Sequence, residues 1–180
     1  MPKGMKIAVL RGELEKKTKK QLIQDIVTLC KKFENVNDFY AVLITSEVDT
    51  NAVVSKYKKT VREEFVSSRD VGYPKMRLSI ARKAISDFKK LQPPKSSIAD
   101  IMIWYVEAGV ECTNNYGDID ERFYASMESM YESAIKFILK ENLGDIYDDR
   151  LNAIVSNTTG MGWGFHDQLS DLYGQYLDQI

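Results

Sequence analysis

Ser96-Ser-Ile-Ala-Asp-Ile-Met-Ile-Trp-Tyr-Val-Glu-Ala-Gly-Val-Glu-Cys112 decides the fold class. Ile98, Ile101, Met102, Tyr105, Ala108, Gly109 and Cys112 recur at the 3.6-residue spacing of one helix face, and Ile103, Val106 and Val110 carry the apolar surface part of the way round the cylinder. A helix apolar on more than one side is buried by several neighbours, so this stretch predicts a central helix, capped by Ser96 or Ser97 and begun after Pro93 and Pro94. Its acids are conspicuous in that setting. Glu107 and Glu111 lie one turn apart on a stripe with Trp104, where an unpaired carboxylate is costly. Arginine or lysine from the basic first half of the chain, or His166, is the expected partner.

Outward from this helix the pattern stays helical. Towards the N-terminus, residues 75–90 place Met76 or Leu78, Ile80, Ala81, Ala84, Ile85 and Phe88 on one face, with Arg82 and Lys83 off it. Asp49 or Thr50 is expected to cap a helix carrying Val53, Val54, Tyr57, Val61 and Phe65, and the segment from Ser67 to Pro74 reads as a loop. Phe39, Tyr40, Leu43 and Ile44 suggest a further helix. Thr18 with Gln21 forms a capping box ahead of a stripe of Leu22, Ile23, Ile26, Cys30 and Phe33, and residues 5–15 make a short opening helix. Towards the C-terminus, Asp120 caps a helix reaching about Asn142 with Tyr124, Met127, Tyr131, Ala134, Ile135 and Ile138, ended by Gly144. Another starts at Asp145 with Ile146, Leu151, Ile154 and Val155.

The last turn, Gly160-Met-Gly-Trp-Gly-Phe-His-Asp167, holds three of the ten glycines and the single histidine. It leads into a helix with Phe165, Leu169, Leu172 and Tyr173 on one face. Alternating glycines before a helix can expose amides to an anion, with Trp163 stacking and His166 moving a proton. The spacing fits neither phosphate-loop pattern. One histidine and two distant cysteines give no zinc-finger spacing, Asp118, Asp120 and Glu121 lack EF-hand order, and no serine or cysteine lies in a nucleophile motif. No metal and no cofactor is implied.

The reading is an all-α, single-domain antiparallel bundle of seven or eight helices over residues 1–180, with 1–17 a loosely attached helix; successive hairpins of about 40 residues also permit a short HEAT-like array. With 44% hydrophobic residues the chain can bury one core, and it contains no run of about 18 apolar residues to span a bilayer. The opening apolar patch is too short for a secretory signal, so the protein is expected in the cytoplasm with Cys30 and Cys112 reduced and packed. A net charge of -1 conceals a division. Residues 1–95 hold 21 Lys and Arg against 11 Asp and Glu, a net +10, while residues 96–180 hold 4 against 15, a net -11. Either the halves attract one another within the fold, or they serve self-association or a protein partner, or the basic half meets nucleic acid.

Three runs, Arg77 to Phe88, Glu107 to Asp120 and Gly162 to Asp167, resemble an uncharacterised family of small helical bacterial proteins known only as a domain of unknown function. The opening from Leu14 to Ile23 is similar to it too, whereas Thr45 to Asn51 reads as an insertion. The resemblance covers nearly the whole chain and implies no activity, but it marks Arg77, Arg82, Glu107, Glu111, Asp118, Trp163, His166 and Asp167 as the candidate ligand or partner site. The functional expectation is a noncatalytic interaction or scaffold protein with a helical groove. The alternatives are a ligand-binding protein or enzyme whose pocket gathers these side chains, and a nucleic-acid binder.

Overall fold

A computed structural model of the chain describes residues 5–44, 47–67 and 72–179, and for 47–49 the backbone alone. Among the described residues there are nine helices and no strand: α1 (Ile7–Glu15), α2 (Lys19–Lys32), α3 (Glu34–Ile44), α4 (Glu47–Phe65), α5 (Leu78–Lys90), α6 (Lys95–Tyr116), α7 (Glu121–Lys140), α8 (Gly144–Asn157) and α9 (Phe165–Leu177). Parts of two predicted segments, residues 45–46 of the Thr45–Asn51 insertion and 68–71 of the Ser67–Pro74 loop, lie outside the described residues.

Substantial contacts join only helices one or two places apart in the chain, the order expected of stacked helical hairpins. The helix that decided the fold, α6, is the hub, packing against α4, α5, α7 and α8. Every one of its predicted apolar positions is buried. The core continues through Val61 and Phe65 of α4, Ala81, Ile85 and Phe88 of α5, and the predicted face of α7. Phe65 is fully enclosed, meeting the rings of Tyr105 (5.0 Å) and Phe123 (6.0 Å) edge-on, so one side chain joins α4, α6 and α7.

At Gly109 a β-carbon would stand 2.2 Å from Met127 Sδ in a fully buried contact, so glycine sets the spacing of α6 and α7. Gly109→Val should lower unfolding free energy by about 1–3 kcal/mol through overpacking, despite the better helix propensity of a side chain. The cost should shrink in a Met127→Ala background. Denaturant midpoints of the four chains check this.

Helix starts follow the predicted chemistry in two places and depart from it elsewhere. Thr18 and Gln21 form the reciprocal capping box, and Asp120 accepts from the Phe123 amide at 2.7 Å. Ser96 and Ser97 are not caps: α6 begins at Lys95 with Pro94 as its N-cap, because the proline already fixes the entry angle and needs no amide partner. Since α4 starts at Glu47, Asp49 and Thr50 lie inside its first turn. Lys75 and Met76 precede α5, which starts at Leu78 after Met76 turns through a positive φ of 50°. Gly144 opens α8 rather than ending α7; the left-handed residue between them is Asn142.

The N-terminal helices differ from the rest. Neither α1 nor α2 has a buried residue, and Ile23 and Phe33 of the expected α2 stripe are exposed, as is Ile146 of α8. Cys30 is half-buried where a packed thiol was expected, whereas Cys112 is enclosed and burial pushes its thiol up to about 12.

Candidate functional site

The chemistry-bearing side chains emerge from six helices, α4 to α9, and from three of the connections between them. On α6 the spacing 100, 104, 107, 111 sets Asp100, Trp104, Glu107 and Glu111 on one stripe, turned towards α4 and α8. Arg150 of α8 grips this stripe. Its Nε and Nη2 donate to Glu107 at 2.9 and 2.7 Å, and its Nη1 donates to Asp100 at 2.6 Å. Asp100 also accepts from Lys58 Nζ at 2.7 Å. Lys58 lies 5.1 Å from the Trp104 ring centre, and the indole Nε1 donates to the Lys58 carbonyl at 3.1 Å. One turn on, Arg62 holds Glu111 through Nη2 at 2.6 Å and Nε at 3.3 Å. The stripe is thus a ladder of charge-assisted bonds tying α4, α6 and α8 together.

The two arginines of the Arg77–Phe88 run point to different neighbours. Arg77 donates to both oxygens of the buried Glu64 carboxylate (2.8 and 2.7 Å), the Met76 amide donates to the Glu64 carbonyl at 2.7 Å, and the loop into α5 is thereby fastened to α4. Arg82 lies 5.6 Å from the Tyr105 ring centre and donates to Ser126 Oγ (3.0 Å) and the Ser126 carbonyl (2.7 Å), linking α5 to α7 across α6.

Hydrogen bonds from Arg77 hold the Glu64 carboxyl below its ordinary value of 4.5, outweighing the burial that would raise it. Because the folded value is the lower one, the stabilisation is complete above about pH 4.5 and is lost as pH falls through the depressed value. Urea midpoints between about pH 5 and pH 2 should fall more steeply in the wild-type chain than in Glu64→Gln, which lacks the titrating group.

The third cluster joins the α6–α7 turn to the glycine turn. Asp118 accepts from Tyr124 Oη at 2.6 Å through one oxygen and from Trp163 Nε1 at 2.7 Å through the other. Gly160 and Gly164 have φ of 82° and 68°, and Trp163 itself is left-handed at 61°. Such a conformation is strained for a bulky residue and is retained here by the indole bond to Asp118. A β-carbon on Gly162 would stand 3.4 Å from the same carboxylate. The negative group against the turn is therefore the chain's own.

His166 follows in the first turn of α9. Its Nδ1 lies 3.0 Å from Thr158 Oγ1 and 3.2 Å from the Val155 carbonyl, while the Thr158 hydroxyl donates to that carbonyl at 2.7 Å. Thr158 and the Val155 carbonyl hold the imidazole through Nδ1, and the ring closes the end of α8 against α9. Asp167 is exposed in the first turn of α9.

Of the eight candidates, only Asp118 and Trp163 bond to each other. Glu107, Glu111, Arg77, Arg82 and His166 each have a separate partner on another element or turn. Among the described residues no group of three His, Cys, Asp or Glu is arranged to hold a metal ion. Glu111 finds its cation in the basic half as expected, but Glu107 does not: Arg150 belongs to the acidic half. Asp100, Lys58, Ser126 and Arg150 were missed. Asp100 was detectable, standing four residues before Trp104 on the same stripe; Ser126 carries no local signal.

Beside the ladder runs an open groove of about 430 Å³ along α4, lined by Lys58, Lys59, Arg62, Val66, Ser67 and Trp104 among others. Lys58 and Arg62 are already neutralised there by Asp100 and Glu111. A family model described as a family of unknown function, DUF6155, matches residues 5–177. The chain belongs to the DUF6155 family. Comparison with curated proteins and with solved structures found no match. The match spans all nine helices, so the bridges, the glycine turn and the α4 groove all lie within the DUF6155 region. No helix of the described residues is long and apolar enough to cross a membrane.

Proposed function

We propose that this DUF6155 chain is a noncatalytic interaction protein of the bacterial cytoplasm, one helical domain that presents the α4 groove to a segment of a protein partner. The observation that carries the reading is the fate of the candidate side chains: apart from the exposed Asp167, the groups able to do acid–base work are spent in bridges between elements, and the open groove is lined by cation stems, Val66 and an indole. The carboxylates beside Lys58 and Arg62 also favour a mixed polar and apolar protein segment over a phosphate backbone, which needs unneutralised cations.

A photo-crosslinking residue in place of Lys59, whose side chain is 78% exposed at the groove, tests this inside cells. One discrete protein adduct that disappears with Arg62→Glu is the expected result. Turnover of a small molecule that vanishes in His166→Ala would assign the protein to the enzymes instead.

A further inference from the structure

The N-terminal end of the hairpin stack leaves its apolar residues uncovered. Between residues 5 and 33, Met5, Ile7, Val9, Ile23, Val27 and Phe33 are among the exposed large hydrophobics, and no residue of α1 or α2 is buried. The same stretch carries eight Lys and Arg against three acids. A stack of helical hairpins normally closes with a polar outer face, and at this end exposed apolar residues interrupt it. The other end has it. The outer side of α9 is polar and acidic, and residues 141–180 hold seven Asp and Glu against the single Arg150.

The two ends match in register. On α2, Lys20, Gln24, Val27 and Lys31 are exposed and follow one another at 4, 3 and 4 residues, so they form one stripe. On α9 the exposed Asp167, Asp171, Gly174 and Asp178 repeat that spacing, with Asp178 still in right-handed helical conformation at the C-cap. Each stripe runs over 12 residues, about 16 Å of helix from first to last. Laid side by side in parallel, the two stripes would set Lys20 and Lys31 opposite Asp167 and Asp178. Val27 would then fall opposite Gly174, where an added β-carbon has nothing within 4 Å. None of Lys20, Lys31, Asp167, Asp171 or Asp178 makes an ion pair with a described residue.

We propose that the exposed face of α2 docks on α9 of a second copy of this chain, so that copies join head to tail and continue the hairpin stack. Pairing two N-terminal ends would match apolar surface but set like charges together, whereas the α2–α9 pairing sets opposite charges together at both ends of the stripe. Because the two surfaces differ, the contact is heterologous and propagates into chains or closes into a ring. It uses none of the residues that line the α4 groove and does not depend on what that groove binds.

Sedimentation velocity over about 1–500 μM, at low and at high salt, tests the contact. The weight-average mass should climb above the monomer with concentration at low salt and return towards it at high salt. Lys20→Glu/Lys31→Glu and Asp167→Lys/Asp178→Lys should each remain monomeric, and an equimolar mixture of the two should regain mass, because each reversed face then meets its complement. Val27→Asp, checked by circular dichroism for an intact helical fold, should also stay monomeric, while Val27→Leu should associate. A wild-type monomer at every concentration, association that survives both reversals, or a mixture that stays monomeric would overturn the proposal. So would a monomer that instead binds vesicles of phosphatidylcholine and phosphatidylserine through Val27, since the occupant of the face would then be lipid.

Discussion

Arg150→Ala should lower the unfolding free energy by about 2 kcal/mol, between the cost of losing a surface ion pair and that of breaking a buried one. The guanidinium makes three donations, to Glu107 and Asp100, whose side chains are only 28% and 21% exposed. Taking it away leaves the Glu107 carboxylate half-buried without a cation, while Asp100 keeps Lys58. The loss should therefore be smaller in a Glu107→Gln background, where no full charge is stranded. Urea unfolding of the two single variants and the double variant checks both points, the coupling being read as the departure from additivity.

Phe65→Ala should cost more, about 4 kcal/mol, within the range for emptying a buried aromatic site. The ring is fully enclosed and touches Tyr105 and Phe123 edge-on, so its removal opens a cavity where α4, α6 and α7 meet. Phe65→Leu keeps most of the volume and should recover more than half of the loss. The comparison is made by denaturant midpoint at constant slope. A drop of under about 1 kcal/mol for alanine would mean that the three helices close over the gap.

How far the fold was legible depends on whether local chemistry or distant packing decides each feature. The α6 stripe was readable because a helix apolar on two sides has one use in a globular chain. The Thr18–Gln21 box and the Asp120 cap were readable because a cap is a contact over three residues. Coverage was not: the period of Leu22, Ile23, Ile26, Cys30 and Phe33 announces an apolar face, and only the neighbours decide that Ile23 and Phe33 stay exposed. The same holds for Ile146.

Within the candidate set, the stripe of Trp104, Glu107 and Glu111 was visible from helix geometry, and a basic partner followed from the cost of a partly buried carboxylate. Which cation arrives was not visible, because Arg150 stands 43 residues from Glu107 in a half whose net charge has the wrong sign. Net charge averages over a half, whereas an ion pair is settled by one side chain within 3 Å. The glycine turn was legible as a turn, since Gly160 and Gly164 need positive φ, but nothing local foretold that Asp118 would reach it from 45 residues away.

Apart from the exposed Asp167, the candidate side chains of this DUF6155 chain are consumed in holding its elements together. The unfolding free energies of Glu107→Gln, Asp118→Asn and His166→Gln beside the wild-type chain test this most directly. Bridging residues lose stability when replaced, whereas residues kept for catalysis or ligand binding at the expense of the fold commonly leave it unchanged or raise it. A loss of about 1 kcal/mol or more is expected in each of the three variants. Stability that is unchanged or increased in Glu107→Gln and His166→Gln would contradict it and return those side chains to the candidates for a working site.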